Sequence, residues 1–114
     1  MPRYVVLEHD HPALHWDLML ETADGLHSWR LPQPPGGADV LTAIRLGEHR
    51  LSYLEYEGPV SGGRGQVKRW DAGDFREDVD STPTMRRLIL RGGRVQGSVL
   101  LEQIDGMNWR WRWS

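Results

Sequence analysis

Turn-forming residues divide this chain into short segments, and this feature limits its fold more than any other. Thirteen glycines and seven prolines are spread over 114 residues, so few stretches are long enough for a helix of several turns. The clearest regular segment runs from Leu14 to Glu21 and alternates apolar with polar side chains. A period of two is typical of a strand with two chemically different faces, and it places His15 and Asp17 side by side.

Further strands are predicted on both sides of this segment. The run Arg3 to Glu8 is rich in β-branched residues, whereas the acidic stretch Arg76 to Pro83 is predicted to be irregular. Glu48 to Glu57 fits either a short helix or an alternating strand. We therefore expect a mostly β fold, either a small antiparallel β-barrel or a strongly curved sheet, with one or two short helices. The other predicted strands are Leu26 to Leu31, Val40 to Leu46, Arg87 to Leu90, Val95 to Ile104 and Met107 to Trp113.

The last predicted strand carries three tryptophans that alternate with arginines. Trp109, Trp111 and Trp113 share one face, because alternate side chains of a strand point to opposite sides. We expect these indoles to pack in the core, since small barrels turn their large side chains inward. The alternative is an exposed platform for stacking unpaired nucleic-acid bases.

Length, composition and charge narrow the remaining possibilities. A chain of 114 residues, 39% of them hydrophobic, is expected to form one domain over residues 1–114 and to be a monomer. Cysteine is absent, which excludes disulfides, thiolate zinc sites and a cysteine nucleophile. No targeting or membrane segment is visible, so a cytoplasmic location is expected. A net charge of -2 argues against indiscriminate DNA binding, and any nucleic-acid contact must be local.

Residues that bind metal ions are concentrated near the N-terminus. His9, His11 and His15 lie within seven residues and are followed by Asp17. A turn between two strands can bring His9 beside His15 and Asp17. Two imidazoles and one carboxylate would leave coordination positions open for water and substrate, as a catalytic site requires, and would suit Mn²⁺ or Zn²⁺. The alternative is a group of surface histidines on a polar strand face.

Several motifs follow one another in order along almost the whole chain. They are HDHPALHWDLMLE from His9 onward, Ser28-Trp29 with Pro32, Glu48-His49-Arg50-Leu51 with Tyr53, Tyr56-Glu57-Gly58, Trp70-Asp71-Ala72-Gly73, and Gly97 with Trp109. Together they resemble the family of DNA ligase D 3'-phosphoesterase domains. The resemblance implies a Mn²⁺-dependent enzyme that removes a terminal ribonucleoside and then a 3'-phosphate from DNA ends in end-joining repair. Its expected partners are nucleic-acid 3' ends and a separately encoded DNA ligase or other end-joining proteins.

The resemblance also assigns roles to individual residues. The family's metal ligands fall on His9, His15 and Asp17. Its active-site histidine and tyrosine fall on His49 and Tyr53, which would share a face if this segment were helical. The expected chemistry is a metal ion that polarises a phosphoryl oxygen, assisted by a nearby imidazole.

Several positions depart from the family pattern where positive charge is expected. Met19 replaces an arginine, Gln33 replaces a lysine, and Leu41 and Thr42 occupy a region where a basic residue is expected. Preorganised charge is among the largest catalytic contributions. The competing hypothesis is therefore a homologue with weakened or lost catalysis that binds metal or nucleic-acid ends. The candidates for replacing the missing charge are Arg30, Arg45, Arg50 and Arg64.

Three further features receive weaker interpretations. His11 is expected to be an exposed turn residue rather than a support for a metal ligand, and His27 is assigned no role. The glycines Gly62, Gly63 and Gly65 are expected to form an ordinary loop rather than an amide cradle for phosphate.

Overall fold

The computed structural model describes all residues 1–114 and consists of nine β-strands and one short helix. Eight strands pair antiparallel in the order β1-β2-β3-β4-β9-β8-β7-β6, and β6 pairs back onto β1 to close the ring. The mostly β prediction is confirmed in its closed form, an eight-stranded barrel. The strands are β1 (Arg3–His9), β2 (His15–Glu21), β3 (Leu26–Leu31), β4 (Val40–Arg45), β5 (Gly58–Pro59), β6 (Gln66–Glu77), β7 (Met85–Gly92), β8 (Gln96–Asp105) and β9 (Asn108–Trp113).

The barrel interior is filled by one face of each strand. Trp29 and Trp111 are fully buried there, and Trp109 is nearly so. Trp113 is half-buried and packs edge-to-face against Trp111, with ring centroids 5.7 Å apart. The prediction that the tryptophans of the last strand pack in the core is therefore confirmed, and these indoles do not form a stacking platform.

Strand β1 is buried on both of its faces. Tyr4 points into the barrel, whereas Val5 and Leu7 point outward into a second, smaller apolar cluster. Leu54, from the 3₁₀ helix Leu51–Leu54, covers this outer face. Burial on both sides explains the unbroken apolar run of this strand. It also gives the outside of the barrel a rigid wall next to the first strand turn.

Two sequence predictions are settled by the segments around residues 48–83. The ambiguous segment Glu48 to Glu57 contains the 3₁₀ helix and no strand, and that helix is too short to cross a membrane. The prediction that Arg76 begins an irregular link is wrong for its first two residues. Arg76 and Glu77 still belong to β6 and pair with β7, because the ladder partner determines where this strand ends rather than local charge.

A buried carboxylate joins β6 to the turn between β7 and β8. Asp71 accepts hydrogen bonds from the backbone N–H groups of Gly93, Arg94 and Val95 at 2.9 to 3.0 Å. The Tyr4 hydroxyl donates to the same carboxylate at 2.9 Å. Burial of the phenol, together with the neighbouring carboxylate, raises the pKa of Tyr4. The Asp71 carboxylate thus accepts four hydrogen bonds and holds the turn to the barrel.

Candidate metal centre and adjoining cleft

The candidate metal centre lies on the outside of the barrel, where β1 ends and β2 begins. The antiparallel register places His9 opposite His15, and Asp17 follows two residues later on the same face of β2. One potential ligand atom from each residue lies within 4.8 Å of the other two. The structure therefore brings together the three residues predicted as ligands, through strand pairing across a five-residue turn.

Backbone carbonyls orient both imidazoles of this group. His9 Nε2 lies 2.7 Å from the carbonyl oxygen of Arg64, and His15 Nδ1 lies 2.8 Å from that of Ala13. A carbonyl oxygen can only accept, so each of these nitrogens carries the proton and donates. In the neutral rings the other nitrogens, Nδ1 of His9 and Nε2 of His15, then hold lone pairs. This is how metal-binding histidines are usually oriented.

The two lone pairs point at a carboxylate oxygen. Oδ2 of Asp17 lies 3.2 Å from His15 Nε2 and 3.7 Å from His9 Nδ1, while Oδ1 is buried without any partner. Burial lowers the pKa of His15, but the contacts with Asp17 and with the Ala13 carbonyl outweigh it, so this pKa is raised. Three converging acceptors, one of them a carboxylate, favour a cation. The group could hold a divalent ion with open positions for further oxygens.

A glycine-rich loop presents the carbonyl that holds His9. Gly65 has φ of +74°, and a Cβ built there would overlap the carboxylate of Asp10. That carboxylate accepts a hydrogen bond of 2.8 Å from the backbone N–H of Gln66. Only glycine combines this backbone conformation with this close approach. The loop therefore faces the site through the carbonyl oxygen of Arg64, an acceptor that orients an imidazole rather than an amide that binds phosphate.

His49 and Tyr53 lie beside the same centre, although they do not share one helix. His49 precedes the 3₁₀ helix, and its backbone N–H and C=O pair with Leu26 at the start of β3. Its ring contacts that of Tyr53 edge-to-face, with centroids 5.8 Å apart. Because the Ser28 hydroxyl donates to the carbonyl of Leu26, it accepts from His49 Nδ1 at 2.8 Å. Nε2 of His49 is left without a partner.

A cavity of about 250 Å³ connects these groups. The ligand candidates His9 and Asp17 line it together with His49 and Tyr53. His15 borders a shallow apolar groove on the other side. A second depression of about 480 Å³ adjoins the cavity and shares His49 and Tyr53 with it. The arrangement is a cleft lined by two of the candidate metal ligands and by an imidazole that could carry a proton.

The four candidate arginines occupy different places. Arg30 and Arg64 line the cavity, and Arg50 lines the adjoining depression. Arg45 lies elsewhere, with its guanidinium 4.4 Å from the ring centre of Trp29.

The residues that depart from the family pattern are also separated. Met19 lines the cavity and is 2% exposed. Gln33 lies outside the cavity, in a surface depression beside the proline-rich loop. Leu41 is buried in the barrel core, and Thr42 is exposed.

Some contributors to the site carry little or no sequence signal. The carbonyls of Ala13 and Arg64 do not depend on side-chain identity, so no motif reveals them. Ser28 belongs to a motif, but its contact with His49 appears only once β3 and the following segment are paired. His11 lines the cavity from an exposed turn. His27 lies outside the cavity, where its Nδ1 contacts an arginine guanidinium at 3.2 Å.

Comparison with known proteins identifies relatives over nearly the whole chain. A family model described as the DNA ligase D 3'-phosphoesterase domain matches residues 7–103. The multifunctional non-homologous end joining DNA repair protein LigD of Mycobacterium tuberculosis is 32% identical over 114 residues, covering 93% of this chain. LigD of Mycolicibacterium smegmatis is 30% identical over 122 residues and covers 94% of this chain. LigD of Pseudomonas aeruginosa is 37% identical over 76 residues and covers 62% of it.

These relatives are much longer proteins. The matches cover 15% of the M. tuberculosis protein, 16% of the M. smegmatis protein and 9% of the P. aeruginosa protein. The similarity therefore concerns one part of each relative, and the residues that the family model matches include His9, His15 and Asp17. This chain belongs to the family of DNA ligase D 3'-phosphoesterase domains.

Proposed function

We propose that this chain is a metal-dependent phosphoesterase that acts on nucleic-acid 3' ends in end-joining DNA repair. The observation that carries the proposal is the pair of imidazoles, His9 and His15, whose lone pairs converge on the buried carboxylate of Asp17. The family description supplies the reaction class, and the relatives are named for non-homologous end joining. The proposed ion is Mn²⁺, with Zn²⁺ as the second choice, because a mixed nitrogen and oxygen donor set suits both.

Each group in the cleft has a chemical role in this proposal. A divalent ion held by His9, His15 and Asp17 would polarise a phosphoryl oxygen and lower the pKa of a bound water. His49 Nε2 has no partner in the chain and can accept a proton or, once protonated, donate one to the leaving oxygen. The Tyr53 hydroxyl makes no hydrogen bond within the chain, so it is free to donate to a phosphate oxygen.

The proposal also covers the context of the reaction. Residues 1–114 are proposed to act as one monomeric domain on a 3'-phosphate or a 3'-terminal ribonucleotide. A clean 3'-hydroxyl is the end that a ligase requires. The proposed partners are therefore a separately encoded DNA ligase or other end-joining proteins that use the product.

The direct test is incubation with Mn²⁺ and labelled oligonucleotides that end in a 3'-phosphate, a 3'-ribonucleotide or a plain 3'-hydroxyl. We expect the first two to be shortened or dephosphorylated and the third to be unchanged. His15→Ala removes one ligand and is the negative variant, while His27→Ala is the matched control because His27 lies outside the cavity. No product above the level of His15→Ala would refute the enzymatic proposal.

A second candidate function is metal and end binding without turnover. Met19 is the observation that favours it, because this buried, apolar residue forms part of the cavity wall where the family pattern has an arginine. This function predicts stabilisation by Mn²⁺ and binding to 3' ends that weakens steeply with salt, with no product. Restoration of cleavage by Met19→Arg in an inactive protein would support it over the first candidate.

A further inference from the structure

Arg30 differs from every other arginine of this chain in its surroundings. Its side chain is partly buried, and its Nε is fully buried without a hydrogen-bond partner. It makes no ion pair with a carboxylate and lies over no aromatic ring. The other partly or fully buried arginines all have such partners: Arg45 lies over Trp29, Arg86 pairs with Glu77, and Arg110 pairs with Glu102.

An unpaired, partly buried guanidinium costs the folded chain free energy. A bound anion from outside the chain would offset that cost. Removing a charged group from water without a partner costs free energy, and most proteins pair or expose such groups. Arg30 forms no ion pair with Asp17, although the two residues are opposite each other on neighbouring strands. Its side chain instead lines both the cavity and the groove that borders His15.

The strand register places Arg30 next to the candidate metal centre. Arg30 is the direct partner of Asp17 across the β2–β3 ladder, and directly paired residues on one face have Cβ atoms about 4.5–5.5 Å apart. Met19 pairs with Ser28 in the same ladder, so Met19 and Arg30 are diagonal neighbours on one face. On this wall of the cavity the positive charge therefore belongs to Arg30 on β3, while the apolar thioether belongs to Met19 on β2.

The other cations near the cavity are less suited to this role. Arg64 is exposed, and its Nε and Nη2 already donate to the carbonyl and hydroxyl of Ser61 at 2.7 and 3.2 Å. Arg50 is exposed and lines only the adjoining depression. Arg30 is therefore the one guanidinium of the cavity that is both sheltered from water and free of partners.

We propose that Arg30 binds the terminal phosphate of the substrate in the cavity, beside the group formed by His9, His15 and Asp17. The inference rests on the proposed function for the substrate class, a phosphate monoester at a nucleic-acid 3' end. A guanidinium offers two parallel donors to two phosphate oxygens, which gives orientation as well as charge. Arg30 thereby supplies the positive charge that Met19 cannot supply.

The test measures binding rather than turnover. The probe is a fluorescent oligonucleotide ending in a 3'-methylenephosphonate, whose C–P bond is not hydrolysed, and the reference is the same oligonucleotide with a 3'-hydroxyl. Affinities are measured for the purified chain with Mn²⁺ and again in EDTA. The variants are Arg30→Met, Arg30→Lys and, as the matched control, Arg87→Met. Arg87 is exposed, and its side chain makes no hydrogen bond or ion pair.

We expect the original chain to prefer the phosphonate end, and Arg30→Met to lose about 10- to 100-fold of that preference, the worth of a charge-assisted hydrogen bond. Arg30→Lys should keep part of the preference because it keeps the charge but not the paired donors. Arg87→Met should keep all of it. Arg30→Gln provides the same readout if Arg30→Met does not fold.

Two results would overturn the inference. One is an Arg30→Met or Arg30→Gln variant that keeps the phosphonate preference, and the other is an original chain without any preference. Failure of the proposed function would look different from both results. No product would form from a 3'-phosphate end, but the original chain would still prefer the phosphonate end and Arg30→Met would still lose that preference.

Discussion

Without metal, the Asp17→Asn variant should be more stable than the original chain. With a divalent ion present, the variant should be less stable than the original. In the metal-free centre the carboxylate presents only acceptors to the lone pairs of His9 and His15, and its Oδ1 is buried without a partner. The carboxamide has the same shape but brings two N–H donors and no charge. It can donate to His15 Nε2, which lies 3.2 Å from Oδ2 of the carboxylate.

The size of the effect follows from the contacts. Satisfying a buried polar group is worth about 1–3 kcal/mol, and for a chain of 114 residues each kcal/mol moves the melting temperature by about 4 °C. Without metal, Asp17→Asn should therefore melt about 4–12 °C above the original chain. With an ion at about 100 times its Kd, the original gains about 2.7 kcal/mol, roughly 11 °C, and the variant gains little.

The metal-free difference should also depend on pH. The pKa of His15 is raised above its ordinary value of 6.5 in the folded chain. The protonated His15–Asp17 pair therefore stabilises the original chain below that value, and this contribution is lost as pH rises through the folded pKa. The advantage of Asp17→Asn should accordingly grow as the pH is raised above 6.5.

The assay is thermal melting in EDTA and in Mn²⁺ at several pH values. Asp24→Asn is the matched control, because Asp24 is exposed and its carboxylate makes no hydrogen bond or ion pair. The reasoning would be refuted if Asp17→Asn melted below the original in EDTA at alkaline pH. It would also be refuted if the variant kept the full metal-induced shift.

Three further predictions concern neighbouring parts of the fold. Gly65→Ala should shift the loop whose carbonyl holds His9 and weaken metal binding about 10–100-fold by calorimetry, whereas unchanged affinity would contradict this role. Ser28→Ala frees the His49 ring and should lower kcat about 10-fold while leaving the metal-induced melting shift intact; a loss of both would indicate a structural effect instead. Burial first, and then Asp71, raise the pKa of Tyr4 above 10.0, so the free energy of unfolding should fall as pH rises past that value. Urea titrations at two alkaline pH values should show that the free energy of unfolding falls with pH in the original chain but not in Tyr4→Phe. An equal fall in both proteins would rule the explanation out.

The sequence reveals the first half of the fold well, because local patterns are strong there. The alternation around Asp17 predicts β2 within one residue, and Leu26 to Leu31 is the observed β3. The same alternation places His15 and Asp17 on one face, which is the basis of the candidate centre. Local periodicity is sufficient wherever a strand keeps one face toward the barrel core.

Strand β6 is where local patterns fail, and the cause is a bulge. Val6 pairs with Asp71 while Leu7 pairs with Arg69, so Trp70 is an extra residue in the β6 strand. A bulge shifts the phase of the side chains beyond it. As a result no single alternation runs through the twelve residues of this strand, and its true length depends on pairing with β1 and β7 rather than on its own sequence.

The location of the candidate centre could not be inferred from periodicity alone, because a barrel strand normally has only one buried face. Outward-facing Asp17 and Met19 are buried here at 4% and 2% exposure, since the 3₁₀ helix and the loop before β6 cover this part of the wall. The cover partly excludes water from this site on the outside of the barrel. Interactions between charges are therefore stronger there than in open water. Residues 19 and 30 are diagonal neighbours on this covered face, so an arginine at either position would place its charge beside the same cavity. With the arginine at position 30, Met19 adds an apolar side chain to the outer cluster.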